Sequence, residues 1–425
     1  MGACCSCQRG GNFEGFFVEG EEHERDFEDE NIVLTRDGGA RVRLQGSSKY
    51  VSMFSQQGKK GINQDAMTVW ESFSGDKDMF FCGVFDGHGP SGHKVARYIR
   101  ESLPTKISSL YRQPSVDGND CVLDEENYDG CENPDFNNPY FLSWKARLIK
   151  CFHEVDEELE NEVSIESYCS GTTTVSVLKK GEHLIISNLG DSRAVLCTRD
   201  ENDELIAEQL TVDLKPNLPS EAQRIRSCQG RVMAMDEEPN VYRIWMPHED
   251  CPGLAMARAF GDFCLKDFGL ISTPKVTYRK LTVKDEFVVL ATDGIWDVLS
   301  NNEVVRIVAS SRKRSMAAKY LVDHAVRAWR YKYPRAKIDD CAVVCLFFKR
   351  QRPVLTKSVS EMSELSFNQT YSTYGKSMRS DDGLDTVLNW EGGGSSENGG
   401  NGSGLGPNRM RKRRQWKKKL ENVEE

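Results

Sequence analysis

The sequence lacks the long apolar runs that would place a chain in a membrane. No stretch of about eighteen consecutive apolar residues occurs, which is the length that an α-helix needs to cross a bilayer. The first residues also lack the apolar segment of a secretory signal. Positive charge is not in excess either, because the net charge is −9, and contacts to nucleic-acid phosphates need a basic surface. We therefore expect a globular protein that neither spans a bilayer nor binds nucleic acid.

The 14 cysteines lack the spacing of a disulfide framework. Cys4, Cys5 and Cys7 crowd together, whereas others such as Cys341 and Cys345 lie inside apolar runs. Since no secretory signal precedes them, we expect reduced thiols in the cytosol.

Composition divides the chain into three parts. Residues 1–57 are polar and Gly-rich with an acidic block at 19–30, which predicts a largely flexible segment. Residues 58–350 alternate apolar runs with helical patterns and form the predicted domain, which includes an acidic insert at 113–140 that has no Lys or Arg. Residues 351–425 are rich in Ser and Thr, then in Gly and Asn, and end in a basic cluster, a composition typical of a disordered tail.

Helices are indicated by apolar spacing and by end signals. Apolar residues at helical intervals predict one long helix from Trp144 to Val163. A shorter helical pattern should stop at Pro104, because proline cannot donate the next backbone hydrogen bond. Ser300 followed by Glu303 is a capping-box pattern, which predicts a helix start.

Carboxylates border four apolar, buried-type strands. Asp86, Asp191 and Asp293 follow their strands, whereas the pair Asp339-Asp340 precedes the last one. If the last strand runs antiparallel to the others, all four sites fall on one edge of the sheet structure. One Asp at a strand end is more often an ordinary turn residue. Four that converge would repel one another unless a cation lay between them, so the pattern predicts a site for hard divalent cations.

Five motifs then occur in a familiar order. They are Val84-Phe85-Asp86-Gly87-His88-Gly89, Ser170-Gly171-Thr172-Thr173, Gly190-Asp191-Ser192-Arg193, Ala257-Arg258-Ala259-Phe260-Gly261-Asp262 and Asp293-Gly294-Ile295-Trp296-Asp297. The chain resembles the type 2C metal-dependent protein serine/threonine phosphatases, the plant members most closely, over about residues 58–350. The resemblance implies an α+β fold, a four-layer α-β-β-α sandwich of two antiparallel sheets with a binuclear Mg²⁺ or Mn²⁺ site at the sheet edge.

The resemblance also implies individual roles. Those for metal binding are Asp86 bridging two ions, Gly87 offering its carbonyl, Asp293 and Asp339 completing the second ion, and Asp191 at a weaker third ion. Asp340 remains an alternative to Asp339 as the ligand. His88 falls on the position proposed as the general acid for the leaving alkoxide.

The first motif of the family is altered in this chain. Lys60 stands where the family usually has an arginine that grips phosphate, and a lysine supplies only a point charge. Gln64 replaces a glutamate that contacts metal-bound water, whereas Asp65 is retained and can still hold such waters. An alternative function is therefore a weakly active relative that binds phosphoproteins as a tethered scaffold, although a scaffold has no need of metal ligands.

The residues permit direct hydrolysis of a phosphate ester. A hydroxide bridging two metal ions would attack phosphorus in line, without a covalent enzyme intermediate. None of the cysteines belongs to a Cys-x5-Arg phosphate-binding loop, which agrees with this route. The expected substrates are phosphoproteins, and the expected state is a monomer.

Both ends of the chain carry interaction signals. Gly2 fits the N-myristoylation pattern, and Cys4 and Cys5 are placed for palmitoylation, the second signal that stable anchoring requires. We therefore expect the cytoplasmic face of the plasma membrane, with a second pool in the cytosol or nucleus. The basic cluster at 409–419 reads as a nuclear-import signal, an anionic-lipid contact or a solvated charged tail.

Overall fold

Short apolar runs rich in β-branched residues form two antiparallel sheets, and the amphipathic segments form helices on them. The computed structural model describes residues 33–36, 39–112, 138–236, 238–250 and 253–348. The strands are β1 (Val33–Arg36), β2 (Ala40–Arg43), β3 (Gly46–Ser47), β4 (Val51–Gln56), β5 (Ala66–Glu71), β6 (Met79–Phe85), β7 (Gly87–His88), β8 (Gly171–Thr172), β9 (Thr174–Lys180), β10 (His183–Leu189), β11 (Arg193–Arg199), β12 (Leu205–Gln209), β13 (Arg231–Met235), β14 (Glu238–Trp245), β15 (Phe260–Gly261), β16 (Lys275–Lys280), β17 (Phe287–Ala291) and β18 (Cys341–Phe347). The helices are α1 (Gly92–Arg112), α2 (Pro139–Asn161), α3 (Pro219–Ser227), α4 (Phe263–Lys266), α5 (Asp293–Trp296), α6 (Asn301–Ala309) and α7 (Ala317–Lys332).

The strand order defines four sheets. One sheet has seven strands in the order β1-β2-β5-β6-β9-β10-β16, and another has six in the order β12-β11-β17-β18-β4-β3. A two-stranded sheet pairs β13 with β14, and a three-stranded sheet joins β15, β8 and β7. The last of these matters for function because it connects three of the sequence motifs. Mixed helices and antiparallel sheets, as expected, make up the fold.

Three clusters of buried apolar side chains hold these elements together. One lies where α1 and α2 pack on the seven-stranded sheet and includes Ile99, Phe152 and Phe81. A second contains side chains from both sheets, such as Val84 and Val344. A third lies where α6 and α7 pack on the six-stranded sheet; its members include Val305, Leu321 and Trp329. Each fully buried side chain of this size contributes about 1.5–3 kcal/mol.

The sheets begin before residue 58, although the sequence pattern predicted that the domain starts at that residue. Strand β4 pairs along its length with β18 in the six-stranded sheet, and β2 pairs with β5 in the seven-stranded sheet. Val42, Val51 and Met53 are buried in these strands. Residues 40–56 were therefore wrongly assigned to the flexible segment, since their apolar runs are too short to stand out without their partner strands.

Helix α1 continues through Pro104, which contradicts the expected stop. A proline inside a helix costs about 3 kcal/mol, because it removes a hydrogen bond and its ring crowds the preceding turn. Leu103 and Ile107 on either side of it are fully buried, and their burial contributes roughly 3–6 kcal/mol together. The hydroxyl groups of Ser102 and Thr105 also donate hydrogen bonds to carbonyls of the preceding turn. Packing outweighs the local penalty here.

The other predicted helices are present, but the long one begins at Pro139, five residues before the predicted start at Trp144. Helix α2 ends at Asn161, so Val163 lies beyond it and is 92% exposed. The capping box is confirmed: Ser300 accepts a hydrogen bond from the Glu303 amide, and the Glu303 carboxylate accepts one from the Ser300 amide. None of the described helices is long and apolar enough to cross a membrane.

Candidate active site

Strand pairing brings the first group of acidic residues together. Ala66 pairs with Phe85, so the start of β5 lies beside the end of β6. Asp65 directly precedes β5 and Asp86 directly follows β6, which makes their backbones neighbours. Strand β10 runs parallel to β6 across β9, so Asp191, which follows β10, lies at the same end of the sheet.

The six-stranded sheet contributes the second group. Ala291 pairs with Val343, so the end of β17 lies beside the start of β18, and the two strands are antiparallel as expected. Asp293 follows β17 and Asp339 precedes β18, which brings them to one end of this sheet. Asp339 and Asp293 interact electrostatically with Asp86 from the other sheet. The two groups therefore form one acidic site.

Crowding of the carboxylates raises their pKa values. Desolvation by burial raises the pKa of Asp86 well above its ordinary value, and the charges of Asp293, Asp65 and Asp339 raise it further. Burial likewise raises the pKa of Asp293, and Asp339 adds to that effect. Burial and the charge of Asp340 do the same for the pKa of Asp65. The site thus holds more negative charge than the protein itself neutralises.

Two lysines supply the positive charge of the site. Lys60 Nζ lies 2.7 Å from Asp339 Oδ2, and both side chains are largely buried. Lys215 donates a hydrogen bond to Asp191 Oδ2, while Asp191 Oδ1 is buried without a hydrogen-bond partner among the described residues. Burial lowers the pKa of Lys215, but the carboxylates of Asp191, Asp297 and Asp293 outweigh it, so that its pKa is raised.

Asp339 and Asp340 have different surroundings. Asp340 Oδ1 accepts a 2.7 Å hydrogen bond from the Gly58 amide, and Oδ2 accepts a 2.8 Å bond from the Gln64 amide. Both oxygens of Asp340 therefore fasten the 58–64 loop. The Asp339 carboxylate instead contacts Lys60 and its own neighbour's amide. This difference favours Asp339 as the metal ligand.

Gly87 is packed where no other residue fits. A Cβ atom at this position would lie 2.5 Å from the Gly92 carbonyl oxygen and 2.6 Å from that of Gln64. A larger residue would push apart the start of α1 and the loop that carries Asp65. The glycine therefore lets the backbone beside Asp86 approach the rest of the site.

His88 lies in the small three-stranded sheet, where it forms a buried pair. Its Nε2 atom is 2.6 Å from Asp262 Oδ2, and His88 is 3% exposed. Its Nδ1 atom is buried and has no hydrogen-bond partner among the described residues. Asp262 adopts a left-handed backbone conformation, with φ 48°, at the start of α4. Of the two ring nitrogens, Nδ1 is therefore the one that can transfer a proton.

Some residues of the site had no assigned role in the sequence interpretation. Lys215 belongs to no motif, so nothing in the sequence pointed to it. Asp262 and Asp297 end two of the recognised motifs, and that position was the only available signal. Desolvation and the charges of Asp339 and Asp191 raise the pKa of Asp297 to about 7, although Lys215 opposes the shift.

Arg193, the last residue of the third motif, connects several segments. It donates two hydrogen bonds to Asp213, at 3.0 and 2.6 Å, and one to Asn301. Its guanidinium also lies 5.1 Å from the ring centroid of Trp296, the residue before Asp297. These contacts fix α5 against the start of β11.

The donor set fits hard divalent cations. Asp65, Asp86, Asp191, Asp293, Asp297 and Asp339 supply carboxylate oxygens, the ligands that Mg²⁺ and Mn²⁺ prefer. Lys60 and Lys215 offset only part of this charge. As the side chains stand, no three His, Cys, Asp or Glu residues in the described ranges surround one point closely enough to hold an ion. Gly2, Cys4 and Cys5, and all but the last three residues of the 113–140 insert, lie outside the described residues.

Comparison with solved structures defines the class of fold. The structure is similar to a serine-threonine phosphatase 2C from Toxoplasma gondii, with a TM-score of 0.61 and 23% sequence identity over 73% of this chain and 99% of that one. It is also similar to a C. elegans sex determining protein, with a TM-score of 0.54 and 20% identity over 71% of this chain and 65% of that one. These likenesses show a shared fold.

Sequence comparison then gives the family. The family model described as protein phosphatase 2C matches residues 50–330. "Probable protein phosphatase 2C 73" of Oryza sativa subsp. japonica is 52% identical over 82% of this chain and 80% of its own length. "Probable protein phosphatase 2C 65" of Arabidopsis thaliana is 50% identical over 90% of this chain and 99% of its own length. The chain belongs to the protein phosphatase 2C family of metal-dependent serine/threonine phosphatases, which confirms the resemblance seen in its motifs.

Proposed function

We propose that this phosphatase hydrolyses phosphoserine and phosphothreonine esters of proteins by direct attack of water at a site that holds two Mg²⁺ or Mn²⁺ ions. The observation that carries the proposal is the group of Asp86, Asp293 and Asp65, whose burial and mutual repulsion raise their pKa values. Divalent cations with oxygen ligands stabilise such a concentration of charge.

Asp86 would hold both ions and Gly87 would offer its carbonyl, with Asp293 and Asp339 completing the second ion and Asp191 serving a weaker third. Divalent ions held by these residues would lower the pKa of bound water to about 7 and would offset the charge of the phosphate oxygens.

The remaining residues of the site act on the substrate and on its proton. Lys60 adds a positive charge beside Asp339, where it can attract a phosphate oxygen. Asp65 is placed to orient water molecules beside Asp86. His88, held by Asp262, would donate a proton from Nδ1 to the departing serine or threonine oxygen.

The proposed architecture is the four-layer α-β-β-α sandwich with the ion site at one edge of its sheets. Its support is the division of the buried apolar residues into three clusters: one under α1 and α2, one with residues of both sheets, and one under α6 and α7. The strand registers that bring Asp86 and Asp293 to corresponding strand ends support the placement of the site.

The substitution Asp86→Asn tests the mechanism. It should abolish Mn²⁺-dependent phosphate release from a phosphothreonine peptide and weaken Mn²⁺ binding in calorimetry. Asp78→Asn, an exposed carboxylate in the turn before β6, is the matched control and should change neither. Undiminished turnover by the Asp86 variant would contradict the proposal. It would favour a protein whose catalytic group lies elsewhere.

Acylation of Gly2, Cys4 and Cys5 is proposed to hold the enzyme at the cytoplasmic face of the plasma membrane. The support is the sequence pattern, together with the need for a second lipid or charge signal beside a single myristoyl chain. Gly2→Ala should move the protein to the soluble fraction, whereas Gly11→Ala in the same segment should not. Equal membrane retention of both variants would refute the anchor.

A further inference from the structure

The segment that forms the helical layer on the six-stranded sheet is strongly basic, although the chain as a whole is acidic. Between Asn301 and Lys337 the chain has ten Lys or Arg residues and two acidic ones, Glu303 and Asp323. The whole chain has 56 basic and 65 acidic residues, so this local excess runs against the overall balance. A local excess of this kind marks a surface for an anionic partner.

The outward face of α7 carries three of these cations. Lys319, Arg327 and Arg330 are exposed, whereas the opposite face of the helix is buried on the sheet. At about 100° per residue, the three lie within roughly a quarter of the helix circumference. Tyr320 and Tyr331 lie in or beside the same arc and are 41% and 78% exposed. We call these five residues the α7 face.

The cations of the α7 face are not neutralised by neighbouring acids. Within the ranges that the structure describes, no carboxylate lies within ion-pair distance of Lys319, Arg327 or Arg330. Asp323 lies on the same face of the helix, four residues from both Lys319 and Arg327, but it forms an ion pair with neither. Elsewhere in the fold, cations such as Lys266 and Arg279 are engaged by carboxylates. Lys319 Nζ instead lies 5.8 Å from the centroid of the Phe54 ring, a contact that does not neutralise its charge. The positive charge of the α7 face is therefore available to a partner.

We propose that the α7 face binds the surface of an anionic lipid bilayer. Each Lys or Arg held near such a surface strengthens binding, and tyrosine side chains prefer the membrane–water boundary because their rings are apolar and their hydroxyls polar. A helix of 16 residues laid against the sheet offers a convex strip about 24 Å long, which suits a flat membrane. The inference extends the proposed membrane attachment but does not depend on acylation.

An acidic protein segment is the competing partner, and the exposed tyrosines argue against it. An acidic peptide could be bound by the cations alone. It would gain little binding energy from Tyr331, which lies beside the cations and is 78% exposed. An anionic bilayer would be bound by the cations and by the exposed tyrosines. Contact through α7 would also turn the outer face of the six-stranded sheet towards the membrane.

Vesicle co-sedimentation of the full-length chain tests the proposal. A Gly2→Ala background removes N-myristoylation, so that the α7 face and the lipid anchor can fail independently. We expect binding to phosphatidylcholine vesicles that contain about 30 mol % phosphatidylserine, and little binding to phosphatidylcholine alone. The triple variant Lys319→Glu, Arg327→Glu and Arg330→Glu should bind at least roughly tenfold more weakly. Tyr331→Ser should weaken binding several-fold.

The matched control reverses three exposed cations beside the other sheet, Lys77, Arg97 and Lys150. It leaves the basic 409–419 cluster unchanged, as the triple variant does, and should bind within about twofold of the parent chain. Hydrolysis of a soluble phosphopeptide by both variants should match the parent, which shows that they fold.

Two outcomes would overturn the proposal. One is equal loss of vesicle binding in the triple variant and the control, which would mean that only net charge matters. The other is parent-level vesicle binding by the triple variant, which would show that the α7 face does not contact the bilayer. If that variant also lost binding to polyglutamate, the α7 face would be assigned to an acidic protein.

Discussion

Thr292 Oγ1 donates a 2.8 Å hydrogen bond to Asp65 Oδ2, which ties the end of strand β17 to the loop before β5. The same hydroxyl accepts a 3.0 Å hydrogen bond from the Ala342 amide of β18. Because a hydroxyl has one proton and the amide supplies another donor, that proton must point at the carboxylate. Thr292 is fully buried, so water does not compete for it. The orientation of Asp65 is therefore set by two strands of the other sheet.

Replacement of Thr292 by valine should disturb this arrangement without changing side-chain volume. The variant leaves Asp65 Oδ2 without its donor and the Ala342 amide without its side-chain acceptor, which should lower the free energy of unfolding by about 1–3 kcal/mol. Urea denaturation measures the loss, and kcat for a phosphothreonine peptide should fall as well. Thr292→Ser keeps the hydroxyl and should retain most of both properties. A valine variant with the parent's stability, or a larger loss in the serine variant, would show that the methyl group matters more than the hydrogen bond.

The His88–Asp262 pair predicts a dependence on the leaving group. Asp262→Asn keeps a residue that tolerates the left-handed backbone, but replaces the carboxylate that lies 2.6 Å from His88 Nε2 by a neutral amide. Hydrolysis of a phosphothreonine peptide should slow about tenfold or more, since a poor leaving group needs a proton. Hydrolysis of p-nitrophenyl phosphate should change little, because nitrophenolate leaves without one.

His88→Gln should show the same division between substrates, with a larger loss on the peptide. Equal slowing of both substrates in either variant would mean that the pair is only structural. Circular dichroism and urea denaturation of the two variants provide the folding control.

Asp339 and Asp340 should respond differently to the same chemical change. Asp339→Asn should weaken Mn²⁺ binding about tenfold or more in calorimetry, because a charged ligand is lost. Asp340→Asn should leave Mn²⁺ affinity nearly unchanged, but should lower the free energy of unfolding by about 1–3 kcal/mol, since one backbone amide of the 58–64 loop loses its acceptor. The reverse pattern would make Asp340 the ligand.

Removal of divalent ions should make stability depend on pH through the crowded carboxylates. The pKa of Asp297 is about 7 in the folded protein, against an ordinary 3.8. A raised carboxyl pKa means that the folded state binds the proton more tightly than the unfolded state does. The stability that this proton binding adds is full below about pH 4 and is lost as the pH rises through 7. With a chelator present, urea denaturation should show falling stability between pH 5 and about pH 8.

Asp297→Asn should reduce that fall, and added Mn²⁺ should restore stability at pH 8 because it neutralises the site. Asp78→Asn is the control, since its carboxylate is exposed and outside the site. A chelated Asp297 variant with the parent's pH profile would contradict the proposed repulsion.

The sequence alone was sufficient for the features that depend on local pattern. The apolar runs before Asp86 and Asp293 are strands as predicted, and Ser300 with Glu303 caps its helix as expected. The order of the motifs is enough to indicate the family. These predictions succeed because a strand run, a cap or a motif is encoded by residues close together in the chain.

Tertiary structure decided what depends on distant contacts. Pro104 remains inside α1 because burial on both sides of it outweighs its local cost, and β4 is a strand because β18 lies beside it. Lys215 meets Asp191, and Asp262 meets His88 across 174 positions, through pairings that no local pattern specifies. The sequence was enough to show which carboxylates border the strands and to which family the chain belongs. Only packing decided which charges face one another, because desolvation and Coulomb repulsion act through space and not along the chain.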